Sequence, residues 1–278
     1  MADGYWVTRT YTAGAVREKS KYFVPGKRPS GRDRRAEKKA IRAQEKNDAS
    51  AIKTLARLIN ANFGGGDYLM GLDYSPAGYD RLLAGIEGLE QMDEAQRQDA
   101  IWAAASHELE LCVRRVKYRC KKMGIELRGI WITSDMDGST GEAARVHHHM
   151  IVSADAMELF ADAWADRGSV DYRQMYANQQ DRTPMAEYLI RQVRRIPDAK
   201  KYRSTRNLIR PQPQDRFAQG PAEIRVPAGC TLIYRAASGR GQAQYIRYLL
   251  PEEDPAQDKK RPGTGRGSLC PESEGEGG

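Results

Sequence analysis

From Asp93 to Gly124 the chain spells out a helix whose start, buried face and stop can all be read, and its neighbours must pack against that rod. Asp93 with Gln96 three residues later makes a capping box, in which each residue satisfies a backbone N–H that the first helical turn leaves unpaired. Trp102, Ala105, Leu109, Cys112, Val116, Cys120 and Met123 recur every three or four residues and so line one side, and Gly124 supplies the stop. His107 falls off that stripe and reads as a surface or salt-bridged histidine, not a ligand. The period then changes. Arg128 to Thr133 reads as a strand ending in Ser134-Asp135-Met136-Asp137-Gly138, and the chain returns past Gly141 into Arg145-Val146-His147-His148-His149-Met150-Ile151-Val152. A long helix feeding an antiparallel strand pair sets the fold class as α+β.

The returning strand holds three of the four histidines. Side chains two apart on a strand share a face, so His147 and His149 can offer two imidazoles to one divalent cation while His148 points the other way. The four cysteines, Cys112, Cys120, Cys230 and Cys270, show no C-x-x-C spacing, which indicates neither a disulfide framework nor a zinc ribbon. No apolar run approaches the roughly 18 residues that span a bilayer, and the N-terminus has neither the basic start nor the apolar stretch of a signal peptide. The expectation is a cytoplasmic protein with no membrane partner. A formal charge of +8 favours a polyanion.

Elsewhere, Tyr5 to Thr12 is rich in aromatic and β-branched residues and reads as a strand. Lys27 to Lys46 carries nine Lys/Arg against three acids, with Arg34 and Arg35 inside it, and reads as a mobile basic linker, an arm along phosphates, or both. Ile52, Leu55, Ala56, Leu58 and Ile59 predict a helix over about Ala49–Asn60. The turn Asn62-Phe63-Gly64-Gly65-Gly66-Asp67 follows. The Gly-x-x-x-x-Gly-Lys pattern is missing from the whole chain, so no NTPase domain and no nucleotide cofactor are expected. Tyr68 to Tyr74 reads as a strand closed by Ser75-Pro76, and residues 155–166 as a helix capped by Asp155 with Met157, Phe160 and Trp164 buried. Thr183 and Pro184 open a further helix as cap and first-turn proline, with Met185, Leu189 and Val193 inward and Tyr188, Arg191 and Arg195 on the far side. From Arg191 to Arg216 nine basic residues face two acids, which suggests a second phosphate-contacting surface. The patterning over 222–250 assigns no element, and the tail after Pro251 reads as disordered.

Three of these runs stand in a telling order. Tyr68-Leu69-Met70-Gly71-Leu72-Asp73-Tyr74, His147-His148-His149 and Tyr188-Leu189-Ile190-Arg191 resemble the motifs of the HUH-type, single-tyrosine rolling-circle replication initiators of phages, plasmids and integrated elements. Lys201 to Leu208 is similar to a basic segment that follows the tyrosine in some phage-type members. The likeness covers roughly Tyr68 to Asn207, about half the chain. It departs from the family in three places: Gly71 and Asp73 stand where threonine is common, His148 where a bulky apolar residue is usual, and Arg191 where the family has lysine.

The resemblance implies a central antiparallel sheet of about five strands flanked by helices, with the histidines on a middle strand and the tyrosine helix beside them. The chain would divide into an N-terminal strand and basic arm (1–48), a nicking domain (49–216), an extension (217–250) and a tail (251–278). It implies a metal-dependent endonuclease in which Tyr188 attacks single-stranded or hairpin origin DNA to leave a 5′-phosphotyrosine. Arg191 would hold phosphate or help lower the tyrosine pKa. His147 and His149 would bind Mg²⁺ or Mn²⁺ with an acidic third ligand, for which Asp135 is the first choice and Asp137 and Glu142 stay open. Tyr172, Tyr176 and Tyr202 compete as nucleophiles. Arg34, Arg35, Arg194, Arg195, Lys200, Lys201, Arg203 and Arg206 are the expected DNA contacts, and a host helicase and polymerase the expected partners. The same motifs would serve a single-tyrosine transposase or a relaxase; a non-catalytic basic DNA-binding protein is the reading from a different class.

Overall fold

A computed structural model describes residues 4–25, 36–138, 140–193, 200–238 and 243–251; for residue 25 and residues 36–47 it describes the backbone alone. The described residues form two five-stranded antiparallel sheets with five α-helices, an α+β architecture. The strands are β1 (Gly4–Ala13), β2 (Val16–Pro25), β3 (Tyr68–Leu72), β4 (Gly129–Met136), β5 (Ala143–Val152), β6 (Val170–Gln174), β7 (Arg203–Ser204), β8 (Gln214–Ala218), β9 (Thr231–Ala237) and β10 (Ala243–Leu249). The helices are α1 (Ala36–Asn62), α2 (Pro76–Ala84), α3 (Glu94–Met123), α4 (Met157–Trp164) and α5 (Thr183–Arg191).

The central sheet runs β6-β3-β5-β4-β7, so the histidine strand β5 lies in the middle. Strand periodicity splits β5 cleanly. Val146, Met150 and Val152 join a core with Leu109, Cys112, Val116 and Cys120 of α3 and with Phe160 and Trp164 of α4. On the other face Ile151 packs with Ile130 and Ile132 of β4, Leu55 and Ile59 of α1 and Leu189 of α5. Each such fully buried side chain contributes about 1.5–3 kcal/mol. The two-sided cover is what permits three histidines in a row, because His148 enters the α3 core already satisfied. Its ring is fully buried, 3.3 Å from the Tyr74 hydroxyl and 3.1 Å from Thr133 Oγ1, with the Trp164 ring against it.

The capping box forms as read, with the Asp93 carboxylate accepting from the Gln96 N–H and the Gln96 side chain accepting from the Asp93 N–H; Gly124 ends α3 at φ 70°. Two caps differ from expectation. Asp155 lies in a short 3-10 turn and makes no capping bond to α4, and Thr183 is the first residue of α5, where its N–H and hydroxyl both donate to Asp181.

The second sheet, β8-β1-β2-β10-β9, gathers both ends of the chain. Residues 222–250, unassigned from sequence, supply β9 and β10, and the expected boundary at 216–217 falls inside β8. This sheet is fastened to α1. The guanidinium of Arg57 forks onto the Glu18 carboxylate at 3.0 and 2.6 Å and stacks 3.4 Å from the Tyr11 ring centroid, while Tyr245 donates to Glu18 at 2.9 Å. Gly14, at φ 57°, turns β1 into β2 so close to α1 that an added Cβ would sit 2.3 Å from the Asn60 carbonyl oxygen. The helix α1 begins at Ala36, so the second half of the basic run is helical; Arg34 and Arg35 lie outside the described residues, as does the tail after residue 251. Among the described residues no helix is long and apolar enough to cross a membrane.

Candidate metal and nucleophile site

The face of β5 turned away from α3 opens into a cavity of about 530 Å³ lined by His147, His149, Asp73, Tyr176 and Tyr188. Two elements meet there because of their periods. Alternation on β5 puts both imidazoles on the face away from α3, and the helical repeat of α5, which buries Ala186, Leu189 and Ile190, leaves Tyr188 turned toward them. The Tyr188 ring centroid stands 5.7 Å from that of His149, and 47% of the residue remains exposed.

The hydrogen bonds fix where the lone pairs point. His147 Nδ1 lies 2.9 Å from the Arg145 carbonyl oxygen, which can only accept, so in the neutral ring Nδ1 carries the proton and Nε2 is bare. That bare nitrogen is 3.1 Å from His149 Nε2, which is itself 2.8 Å from Gln192 Oε1. The Gln192 oxygen can only accept, so in the metal-free protein the proton of neutral His149 sits on Nε2, between the amide oxygen and the bare His147 Nε2. Such an arrangement suits a cation: two donors each about 2.1 Å from a metal and at right angles lie about 3 Å apart. Burial, followed by the nearby His147 charge, pushes His149 down to about 4, so its ring is neutral at neutral pH. Burial pushes His148 down to about 3, which keeps it neutral inside the core.

The third donor is where the sequence reading needs correcting. Ser134 pairs with His147 in the regular register before a bulge, and Asp135, two residues beyond Thr133 and so on the same α3 face, lines a separate cavity with Trp102 and Val146. Asp137 and Glu142 belong to the β4–β5 turn: Thr140 N–H donates to the Asp137 carboxylate at 2.9 Å and Glu142 N–H to the Thr140 hydroxyl. Among the described residues no three His, Cys, Asp or Glu side chains form a metal-holding group. The residues beside the imidazoles are instead Gln192, one turn beyond Tyr188, and Asp73, which lines the same cavity. Gln192 is held in place by its own amide donating to the Tyr188 carbonyl at 3.3 Å and by Ser134 donating to the Gln192 carbonyl at 2.5 Å. Its spacing from Tyr188, four residues along a helix, was the available signal.

Of the competing tyrosines, Tyr172 lies opposite Met70 on the α3 face of the sheet and meets Tyr68 edge-on, away from the cavity. Tyr202 packs against the core on the α1 side, and burial raises its pKa. Tyr176 does line the cavity and is 65% exposed. Arg191 projects into solvent with Glu187 4.0 Å away. Among the expected DNA contacts, Lys200, Arg203 and Arg206 are exposed, Arg203 being paired with Glu110; Lys201 is half-buried and paired with Asp48, and Arg194 and Arg195 lie outside the described residues. Compared with known proteins, the chain matches no family model, no curated protein and no solved structure.

Proposed function

We propose that this protein is a metal-dependent, site-specific endonuclease that nicks and rejoins single-stranded or hairpin DNA through a 5′-phosphotyrosine, and that its reaction starts rolling-circle replication. The observation that carries the reading is the convergence, in one cavity, of the Tyr188 phenol with the paired imidazoles of His147 and His149. A bound Mg²⁺ or Mn²⁺ would neutralise a non-bridging phosphate oxygen and stabilise the charge that develops on in-line attack. His147, His149 and Gln192 would hold it, with Asp73 as the anionic group beside them. The Arg145 carbonyl keeps His147 Nε2 free to ligate, and the depressed pKa of His149 keeps its ring neutral, so that its Nε2 would ligate once the ring proton moves to Nδ1.

Tyr188 would give up its phenolic proton and form the bond to phosphorus as the bond to the 3′ oxygen breaks, and the leaving strand would take up a proton in turn to end as a free 3′-OH that a host polymerase can extend. Unwinding would fall to a host helicase. Arg191, one turn along α5, would hold phosphate and not move protons, since a guanidinium does not titrate. The test is to map the ends made on single-stranded origin DNA with Mn²⁺. A 3′-OH that polymerase extends and a 5′ end blocked by protein support the reading; a 3′-phosphate or a free 5′ end overturns it.

A further inference from the structure

The last three turns of α3 carry Arg114, Arg115, Lys117, Lys121 and Lys122 on solvent, around Tyr118, which is 60% exposed. Lys122 Nζ lies 4.7 Å from the centre of the Tyr118 ring. Among the described residues none of these five cations has an ion-pair partner. The neighbouring acids are taken: Glu108 pairs with Arg167, Glu110 with Arg203, and Asp162 of α4 with Arg119. Like charges three and four apart on a helix repel, so this face costs the helix stability. The helix dipole explains Lys121 and Lys122, which stand in the final turn, but its influence does not reach back to Arg114, Arg115 and Lys117. Those three are left without a structural reason inside the fold.

We infer that this face of α3 is a second nucleic-acid surface, which binds duplex DNA through its phosphates and without reading sequence. The inference takes the identity of the polyanion from the DNA reading above and nothing from the nicking chemistry. Duplex is the occupant favoured here because the cations ride on one straight helix, rigidly backed by Leu109, Cys112, Val116 and Cys120, over a length of about 12 Å. A double helix offers the densest phosphate array to a fixed row of charge. The surface lies on the side of the central sheet opposite the histidine cavity, so a duplex held there leaves the cavity open to a single strand.

The experiment measures binding of a short duplex of arbitrary sequence to the full-length protein over a salt series, with single-strand nicking assayed on the same preparations. Arg114→Gln/Arg115→Gln/Lys117→Gln is expected to weaken duplex binding at least tenfold at low salt and to lower the slope of log K against log salt by about three. Lys121→Gln/Lys122→Gln should lower it by about two. Single-strand nicking should be unchanged in both. A control that removes the same charge from the second sheet and the loop that leads into β9, Lys19→Gln/Arg216→Gln/Arg225→Gln, should leave most of the duplex affinity. Wild-type slope in the α3 variants, or an equal loss in the control, overturns the proposal. If wild-type protein does not nick but the α3 variants still lose duplex binding, the surface stands and the nuclease reading falls.

Discussion

Gln192 Oε1 lies 2.8 Å from His149 Nε2, and this one contact joins the helix that carries Tyr188 to the strand that carries the imidazoles. It makes the amide the donor nearest to the pair. Gln192→Leu is expected to weaken Mn²⁺ binding by roughly tenfold or more, measured by calorimetry, whereas Gln192→Glu keeps or strengthens it. Asp135→Asn should bind as wild type does. Equal losses in Asp135→Asn and Gln192→Leu would return the third ligand to β4.

Acid should destabilise the metal-free protein earlier than its carboxylates alone would require. His148 and His149 have folded pKa values pushed below their ordinary 6.5, to about 3 and about 4, chiefly by burial. The unfolded chain therefore binds more protons than the folded one as pH falls below 6.5, and the stability present above that value is lost progressively on the way down. The expected slope is about 1.4 kcal/mol per pH unit for each histidine. Urea unfolding between neutral pH and pH 5 measures it, and His148→Gln should remove about half. An unchanged slope in that variant would mean that His148 titrates normally in the fold.

The pair of Glu18 and Arg57 fastens the second sheet to α1, and both side chains are largely buried, at 7% and 15% exposure. Removing one partner strands the other, so Glu18→Ala should cost about 3 kcal/mol in urea unfolding. The double change Glu18→Leu/Arg57→Met should cost clearly less than the sum of the single changes. Strict additivity would show that the two do not interact.

What the sequence revealed and what it hid follow from the range of the interactions. The capping box of Asp93 and Gln96, the stop at Gly124 and the outward pair His147 and His149 depend on neighbours within a turn or along one strand, and all are legible from spacing. The second sheet is not. Its register sets Arg9 against Asp215 and Glu18 against Arg247, pairings between opposite ends of the chain that no local pattern encodes. The same holds for Gln192, whose place beside His149 arises only when α5 docks on β4; Asp135, by contrast, shares the α3 face with Thr133 by plain alternation once Thr133 stands opposite His148. The helical start at Ala36 was hidden by its charge, since a turn without an apolar stripe reads as linker until Leu55 and Ile59 anchor the rest of α1.

The central claim is that Tyr188 is the nucleophile and that the imidazole pair activates its target. Denaturing electrophoresis of protein incubated with labelled single-stranded origin DNA and Mn²⁺ tests it directly. The account predicts a covalent adduct that is lost in Tyr188→Phe, falls at least a hundredfold in rate in His149→Ala, and persists in Tyr176→Phe. An adduct that survives Tyr188→Phe and disappears with Tyr176→Phe would contradict it.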